Sequence, residues 1–339
     1  MLDPILVEPA AHIGVSEAAA LVREHFGLAG VIHPLAGERD ANFCLRLHHG
    51  ERVVVKFAHP LEPYDVSDLQ SRALLHLERT APDLPLPRMR WPLAGVAPQV
   101  TVTPGAGPPR QLRVYSYLSG TPAVGPVETS FQWRLGKLAA HIDRALGDFA
   151  HAADGRSIDW DLRRLPEACE PVERTPEIAH VVDAYDRIGR AALAALPDQV
   201  VHNDLNPHNV LVDNPARSRI TGILDFGDLV RAPRAIELAT AAAYQIHDRT
   251  RGWQDVTAMA RGYHAAYPLS RDELRLVPVL IAMRAALSVA INRDAVRAGR
   301  DNSDYLMRNV TRAASALETL ARLDLERAGD EFAEAVIAR

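Results

Sequence analysis

Apolar and polar positions change period several times along the chain. Glu17 to Phe26 reads as a short amphipathic helix, with Ser16 placed to cap its N-terminus and Gly27 suited to the left-handed residue that closes it. Val31–Leu35, Ala41–His48 and Arg52–Ala58 then have strand-like composition, and His49-Gly50 reads as the turn between the last two. Helical spacing returns over Val66–Thr80, where Leu69, Ala73, Leu74 and Leu77 fall on one face. Four prolines make Pro82–Pro92 an extended connector, and Gln99–Thr103 and Leu112–Leu118 read as a further strand pair. Ser119-Gly120-Thr121-Pro122 breaks this pattern. It divides the chain into a sheet-rich region, residues 1–118, and a larger region, residues 119–339.

The larger region is mostly helical. From Glu128 to about Ala152, Phe131, Leu135, Leu138, Ile142, Leu146 and Phe149 follow a 3.6 period. Ile158–Leu162 is a loop with Trp160 between two acids, and a second helix is expected over Pro176–Ala195. Two short apolar runs follow, in VHNDLNPHNVLV (Val201–Val212) and ILDFGDL (Ile223–Leu229). Helices are then expected over Pro233–Ile246, Trp253–Ala266, Arg271–Ala298 and Ser303–Glu326. The expected fold class is therefore α+β, a small antiparallel sheet followed by a helical body.

Composition narrows the class. The 339 residues are 47% hydrophobic and 24% charged, enough for a proper core and inconsistent with a disordered chain. A net charge of -5 supplies no global basic field, so neither nucleic acid nor an anionic membrane is an expected partner. The two cysteines, Cys44 and Cys169, lie far apart without CxxC spacing, which fits a reducing compartment and buried thiols rather than a zinc site. The N-terminal MLDPILVEPAAHIG lacks a basic stretch and a long apolar core, so it does not read as a signal peptide. The apolar region Val277–Ile291 is interrupted by Arg284 and too short to span a bilayer, and a cytoplasmic protein is expected.

The two short runs carry the chemistry. The first sets His202, Asp204 and Asn209 in the spacing H-x-D-x-x-x-x-N; the second supplies Asp225. In-line phosphoryl transfer needs a group that orients and deprotonates the acceptor hydroxyl, and oxygen ligands for magnesium bridging the phosphates. Asp204 suits the first task, Asn209 and Asp225 the second. His202 and His208 have no second histidine at ligand spacing, so zinc is not indicated, and His202 reads as a residue that holds the loop. Read separately, Asn203, Asp204 and Asn206-Pro207 are ordinary turn formers, and Asp225–Asp228 ends a strand. Their order, with one apolar hairpin between them, favours the catalytic reading. Lys56 in VVVKF reads either as a solvated edge residue or as an ammonium aimed at a polyphosphate, beside the polar loop Ala36–Asn42.

At these residues the chain resembles the aminoglycoside phosphotransferase and choline kinase-like enzymes, which share a bilobal protein-kinase-like fold. The resemblance rests on His202, Asp204 and Asn209, on Asp225-Phe226-Gly227, and on Lys56. Gly37–Phe43, Trp160-Asp161-Leu162, Asp228 and Glu237-Leu238-Ala239 look like the hydroxylysine kinase branch. It implies ATP and Mg2+ as cofactors, Asp204 as catalytic aspartate, Asn209 and Asp225 as metal ligands, and Lys56 with Arg39 and Asn42 of the loop on the nucleotide. Ser116, Tyr117 and Leu118 would form the hinge that reads the adenine edge. One departure concerns the partner of Lys56: Arg72 stands where a helix glutamate is expected, and Asp68 one turn earlier is the substitute.

The implied acceptor is a small molecule with a hydroxyl, preferentially a hydroxylysine-like amino alcohol. Its ammonium groups call for Asp228 or Asp161 and its carboxylate for Arg284, because unpaired charges are costly once desolvated. Alternatives of the same class are an antibiotic phosphotransferase and a choline, ethanolamine or homoserine kinase. A catalytically silent nucleotide-binding module is the alternative of another class. A protein kinase is disfavoured, because no activation segment with an APE-type ending follows Asp225.

Overall fold

The computed structural model of the chain describes residues 12–37, 39–105, 107–125, 128–170, 172, 174–214, 219–246, 251–297 and 303–338. Helix α1 (Val15–Phe26) ends at Gly27, whose φ of 68° and N–H bond to the Arg23 carbonyl close the last turn. Its N-cap is Gly14, and Ser16 sits exposed inside the first turn, so the expected serine cap is not formed.

The first sheet is antiparallel and has six strands. They are β1 (Gly30–Leu35), β2 (Ala41–Leu47), β3 (Arg52–Phe57), β4 (Met89–Arg90), β5 (Val100–Val102) and β6 (Arg110–Ser116). Their order is β1-β2-β3-β6-β4, with β5 also on β6. β4 falls inside the proline-rich segment expected to be a plain connector. Alternation on β3 sends Val53, Val55 and Phe57 into a core with Ala18, Val22 and Phe26 of α1. Val54 and Lys56 therefore face the other way. Since β3 lies between β2 and β6, Lys56 is a central-strand residue and the edge reading fails.

Helix α2 (Tyr64–Thr80) covers that other side, and its Leu69, Ala73, Leu74 and Leu77 join the larger core of the helical body. In that body, α3 (Thr129–Leu146) stops at Gly147, short of the expected end near Ala152. α4 (Leu165–Cys169), α5 (Pro176–Ala184) and α6 (Arg190–Ala194) follow. The single helix expected over 176–195 is broken by a wider, π-type turn at Tyr185–Gly189. There Gly189 lies so close to the Tyr185 ring that a Cβ would meet it at 2.8 Å.

Four short strands set up the centre of the molecule: β8 (Asp198–Val201), β9 (Val210–Val212), β10 (Ile220–Ile223) and β11 (Val230–Pro233). β8 pairs with β11, and β9 pairs with β10 and with β7 (Thr121–Pro122), a two-residue strand at the expected pattern break. The loops 202–209 and 224–229 each cross from one ladder to the other. They are consequently held side by side.

Five helices complete the body: α7 (Arg234–Ala243), α8 (Arg251–Ala266), α9 (Arg271–Arg297), α10 (Ser303–Leu320) and α11 (Leu325–Ile337). The expected continuous helix over 303–326 instead turns after Leu320. Asp324 then caps α11 by accepting the Glu326 and Arg327 N–H groups. By length and composition α9 could cross a membrane, but 89% of its most apolar window is buried inside the protein, as befits a core helix.

Helices α3 and α8 approach through glycines. A Cβ on Gly136 would lie 1.9 Å from the Met259 carbonyl oxygen, and one on Gly262 would lie 2.0 Å from that of Trp133. Neither backbone can yield without separating the helices. Gly136→Ala is therefore expected to cost about 1–3 kcal/mol or more in chemical denaturation. Gly155→Ala, where nothing lies within 4 Å of the added carbon, should leave stability nearly unchanged.

Candidate active site

The loop after β8 is fixed from below. His202 is fully buried; its Nε2 donates to the Leu224 carbonyl at 3.0 Å, and its Nδ1 accepts the Asp204 N–H at 3.2 Å. Burial lowers its pKa and favours the neutral ring these two bonds require. The ring also stands edge-on to Phe226, with centroids 4.7 Å apart. Thus His202 joins both loops. Asn203 takes a left-handed φ of 64°, and its N–H donates to Oε2 of buried Glu237 on α7 at 2.5 Å. Burial pushes the Glu237 carboxyl up to about 7, against the pull of the backbone N–H groups of Asn203 and His202.

Asp204 then points into the cleft. Its Oδ2 accepts from Asn206 Nδ2 at 2.9 Å and from Asn209 Nδ2 at 2.8 Å, while Arg284 Nη2 lies 3.5 Å from Oδ1. Burial first, and Asp228 second, raise its carboxyl to about 8 despite Arg284. Asn209 commits its amide N–H groups to Asp204, including the backbone carbonyl at 3.0 Å, so its Oδ1 is the atom left for a ligand.

The second loop carries Asp225 at a left-handed φ of 57°, and its Oδ1 accepts the Gly227 N–H at 3.0 Å. Lys56 Nζ lies 3.8 Å from the same oxygen and, above all other causes, holds the Asp225 carboxyl down to about 2. Asp225 is half-exposed and ionised. Asp225 and the Asn209 amide oxygen form an all-oxygen donor set, which suits a magnesium ion that takes its remaining ligands from phosphates and water. Among the described residues no cluster of three His, Cys, Asp or Glu side chains stands ready to cage a metal by itself.

Across the cleft, Lys56 Nζ sits 2.7 Å from Asp40 Oδ2. Burial works against its charge, but Asp40 and Asp225 outweigh it and raise its pKa. Asp40 is itself pinned, because its other oxygen accepts the His59 N–H at 2.8 Å. The expected substitute, Asp68, pairs instead with Arg72 at 3.3 Å and His151 at 3.2 Å. The space between Lys56 and α2 is filled by Arg113, opposite Lys56 on β6, which donates to Gln70 Oε1 at 2.7 Å.

The remaining predicted residues divide. Arg39 Nη1 reaches Asp228 Oδ1 at 3.1 Å, so a loop residue and a residue of the second loop meet directly. Asn42 packs on Gly37, where a Cβ would lie 2.5 Å from its amide nitrogen, and its Oδ1 is buried without a partner. At the hinge, Ser116 N–H donates to the Arg88 carbonyl at 2.8 Å and Tyr117 N–H to that of Arg52 at 3.2 Å. The Ser116 hydroxyl accepts the Arg88 N–H at 2.9 Å, relieving the Ser116 carbonyl of the donor that an antiparallel pair would give it. Arg284 is boxed by Trp160, 4.8 Å beneath its guanidinium, and by the Tyr244 hydroxyl at 3.1 Å. Asp161 is not brought to this cluster; it caps a turn and is gripped by Arg163 at 2.7 Å.

Sequence reasoning passed over several contributors. Asp40 lay within the quoted loop, and Glu237 within Glu237-Leu238-Ala239, without assigned tasks. A lone acid in an otherwise apolar helix was the available signal for Glu237. Trp160 was singled out as the aromatic between two acids but without an assigned task, while Tyr244 and Arg156, which donates to the Leu229 carbonyl at 3.0 Å, depend on tertiary placement and gave no local sign.

Comparison with known proteins agrees with this geometry. The model of the family described as "Phosphotransferase enzyme family" matches residues 31–276. Hydroxylysine kinase of Mus musculus is 24% identical over 329 residues, covering 86% of this chain and 85% of that protein. Hydroxylysine kinase of Danio rerio is 26% identical over 343 residues, covering 92% and 93%. Among solved structures, a microcompartment-associated aminopropanol kinase superposes with a TM-score of 0.68 at 17% identity, covering 89% of this chain and 94% of that one. The fold is thus the bilobal protein-kinase-like one of these phosphotransferases.

Glu237 gives the site a measurable signature. Glu237→Leu leaves the buried Asn203 N–H without an acceptor, with an expected cost of about 1–3 kcal/mol in denaturant midpoint experiments. The carboxyl rises from its ordinary 4.5 to about 7 on folding, so the native state holds a proton that the unfolded chain releases. Its stability contribution is whole below the unfolded value and is lost as pH climbs through the folded one. Glu237→Gln should accordingly lose less stability than the parent between about pH 5 and pH 8.

Proposed function

Because this chain belongs to the phosphotransferase enzyme family, we propose that it is an ATP- and Mg2+-dependent kinase that phosphorylates the hydroxyl of a small amino alcohol, with a 5-hydroxylysine-like compound as the preferred acceptor. The observation that carries this reading is the convergence of Lys56, Asp225, Asn209 and Asp204 on one cleft, from a sheet on one side and two adjoining loops on the other. The hydroxylysine kinases that match along most of their length support the choice of acceptor.

In this reading Asp204 accepts the proton of the attacking hydroxyl. Asn206 and Asn209 hold Oδ2, which leaves Oδ1, the atom near Arg284, to face the acceptor. A carboxyl raised to about 8 has a proton affinity near working pH, so that once ionised it accepts a proton effectively. Lys56 and the loop with Arg39 and Asn42 hold the nucleotide phosphates. The Ser116 carbonyl and the Leu118 N–H read the adenine edge beside Tyr117. Asn209 and Asp225 hold magnesium, which when bound neutralises charge on the phosphates. His202 holds the two loops together from beneath.

On the acceptor side, Asp228 receives an ammonium group. Asp161, held by Arg163, drops out of that role. Arg284, already cradled by Trp160 and Tyr244, is the cation for an acceptor carboxylate. Residues 1–118 supply the nucleotide half of the site and residues 119–339 the catalytic and acceptor half. Cys44 and Cys169 are both free thiols, which supports residence in the reducing cytoplasm.

Asp204→Ala is expected to reduce turnover by at least about 10²–10⁴-fold while nucleotide affinity is largely kept. Unchanged turnover in that variant would remove the assigned base. Phosphorylation of 5-hydroxylysine, ethanolamine, choline, homoserine and an aminoglycoside should be compared with labelled ATP, and 5-hydroxylysine should be used best. Transfer to the aminoglycoside alone would overturn the acceptor assignment.

A further inference from the structure

The single bond between Arg39 and Asp228 joins the two ligand subsites. Arg39 Nη1 and Asp228 Oδ1 are 3.1 Å apart, and among the described residues neither side chain has another hydrogen-bond partner. The Asp228 side chain is 7% exposed, so a cation beside it offsets the cost of burying a carboxylate there. The adjoining Asp40 is anchored by Lys56 and by the His59 N–H, which fixes the backbone next to Arg39 and leaves its long side chain as the part free to change partner. A guanidinium on a buried carboxylate has the charge and hydrogen-bonding character of a primary ammonium. Arg39 thus stands on Asp228 where a cationic acceptor would bind.

We propose that Arg39 is a nucleotide-gated specificity residue, paired with Asp228 as in this structure until nucleotide binds and leaving it for the nucleotide phosphates, so that the acceptor's ammonium takes its place only when nucleotide is bound. This rests on the assignment of Asp228 to the acceptor and of the Arg39 loop to the phosphates. When Arg39 departs, Asp228 is left buried and unpaired near Asp204, an arrangement that a cation entering from solvent relieves. A neutral acceptor gives no such relief. Linkage makes the effect mutual: nucleotide strengthens binding of a cationic acceptor and that acceptor strengthens binding of nucleotide by the same factor.

The coupling is testable without knowing the acceptor. Affinity for the magnesium complex of AMP-PNP is measured by calorimetry for the parent enzyme, Asp228→Asn, Arg39→Gln and the double variant, with thermal melts to show that each is folded. Asp228→Asn frees Arg39 and should tighten nucleotide about tenfold, a change that shrinks to less than about twofold in the Arg39→Gln background. Equal tightening in both backgrounds would mean that Asp228 acts only as a nearby negative charge, and the proposal would be wrong. It would also be wrong if Asp228→Asn left the affinity unchanged. Asp228→Ser and Arg39→Met form a second cycle should either first variant melt at assay temperature.

With 5-hydroxylysine as the probe, saturating AMP-PNP should raise its affinity for the parent about tenfold and leave it unchanged for Arg39→Gln. Equal enhancement in both enzymes would overturn the gating. Failure of 5-hydroxylysine to bind any of them overturns the acceptor assignment instead, while the nucleotide cycle still decides whether Arg39 and Asp228 are coupled.

Discussion

An ammonium group on the inner face of a central strand must be paired, and much of the cleft is arranged around that demand. Lys56 has little access to solvent, 15% of its side chain, because β2 and β6 flank it and α2 lies over the face from which it projects. Its carboxylates come from opposite sides. Asp40 arrives from the loop before β2, at 2.7 Å, and Asp225 from the loop after β10, at 3.8 Å. The second contact crosses the cleft, so the charge that would meet phosphate also ties the sheet to the helical body. Asp225 gains most from it, as its pKa near 2 shows.

The two loops on the other wall hold backbone conformations that residues other than glycine seldom take, at two residue types that tolerate them best. Asn203 and Asp225 both take positive φ, an arrangement that costs free energy unless surrounding bonds enforce it. At Asn203 the enforcement is Glu237, a buried acid whose elevated pKa records its desolvation. At Asp225 it is the carboxylate's own bond to the Gly227 N–H, together with Arg156 on the Gly227 and Leu229 carbonyls. Crossed β8–β11 and β9–β10 ladders bring the loops alongside, and His202 bolts one to the other through the Leu224 carbonyl. Rigid placement of Asp204 is the outcome.

The division into sheet and helices was legible because it lies in local periodicity, and β1 to β3, α2, α7 and α9 fall close to where the pattern puts them. Errors gathered where local signals are weak. Gly14 rather than Ser16 precedes α1, β4 hides among prolines, and the 303–326 helix turns at Leu320 because Asp324 offers a better start. The chemical residues were legible in their spacing, but not their pairings. Nothing local in the sequence shows that Asp40, rather than Asp68, meets Lys56, since that depends on Arg113 filling the space beside α2. Likewise, Asp161 and Asp228 look alike as loop acids. Only folding gives one to Arg163 and the other to Arg39.

Charge balance in the cleft explains why the proposed acceptor is a cation. Four carboxyl groups, on Asp40, Asp204, Asp225 and Asp228, face three cations, Lys56, Arg39 and Arg284. In the proposed reading an anionic nucleotide draws on Lys56 and Arg39, both of which come from the sheet side. Arg284 is then alone with Asp204 and Asp228, and its guanidinium is already tied to Tyr244 and to the Trp160 carbonyl. One carboxylate is left over in a poorly hydrated space, where burial already drives Asp204 upward. In the same reading an ammonium on the acceptor restores the balance and, by lowering the proton affinity of Asp204, shifts the proposed base toward its ionised form when the hydroxyl arrives. On this proposal, binding of the acceptor and readiness of the base are linked through the same buried charges.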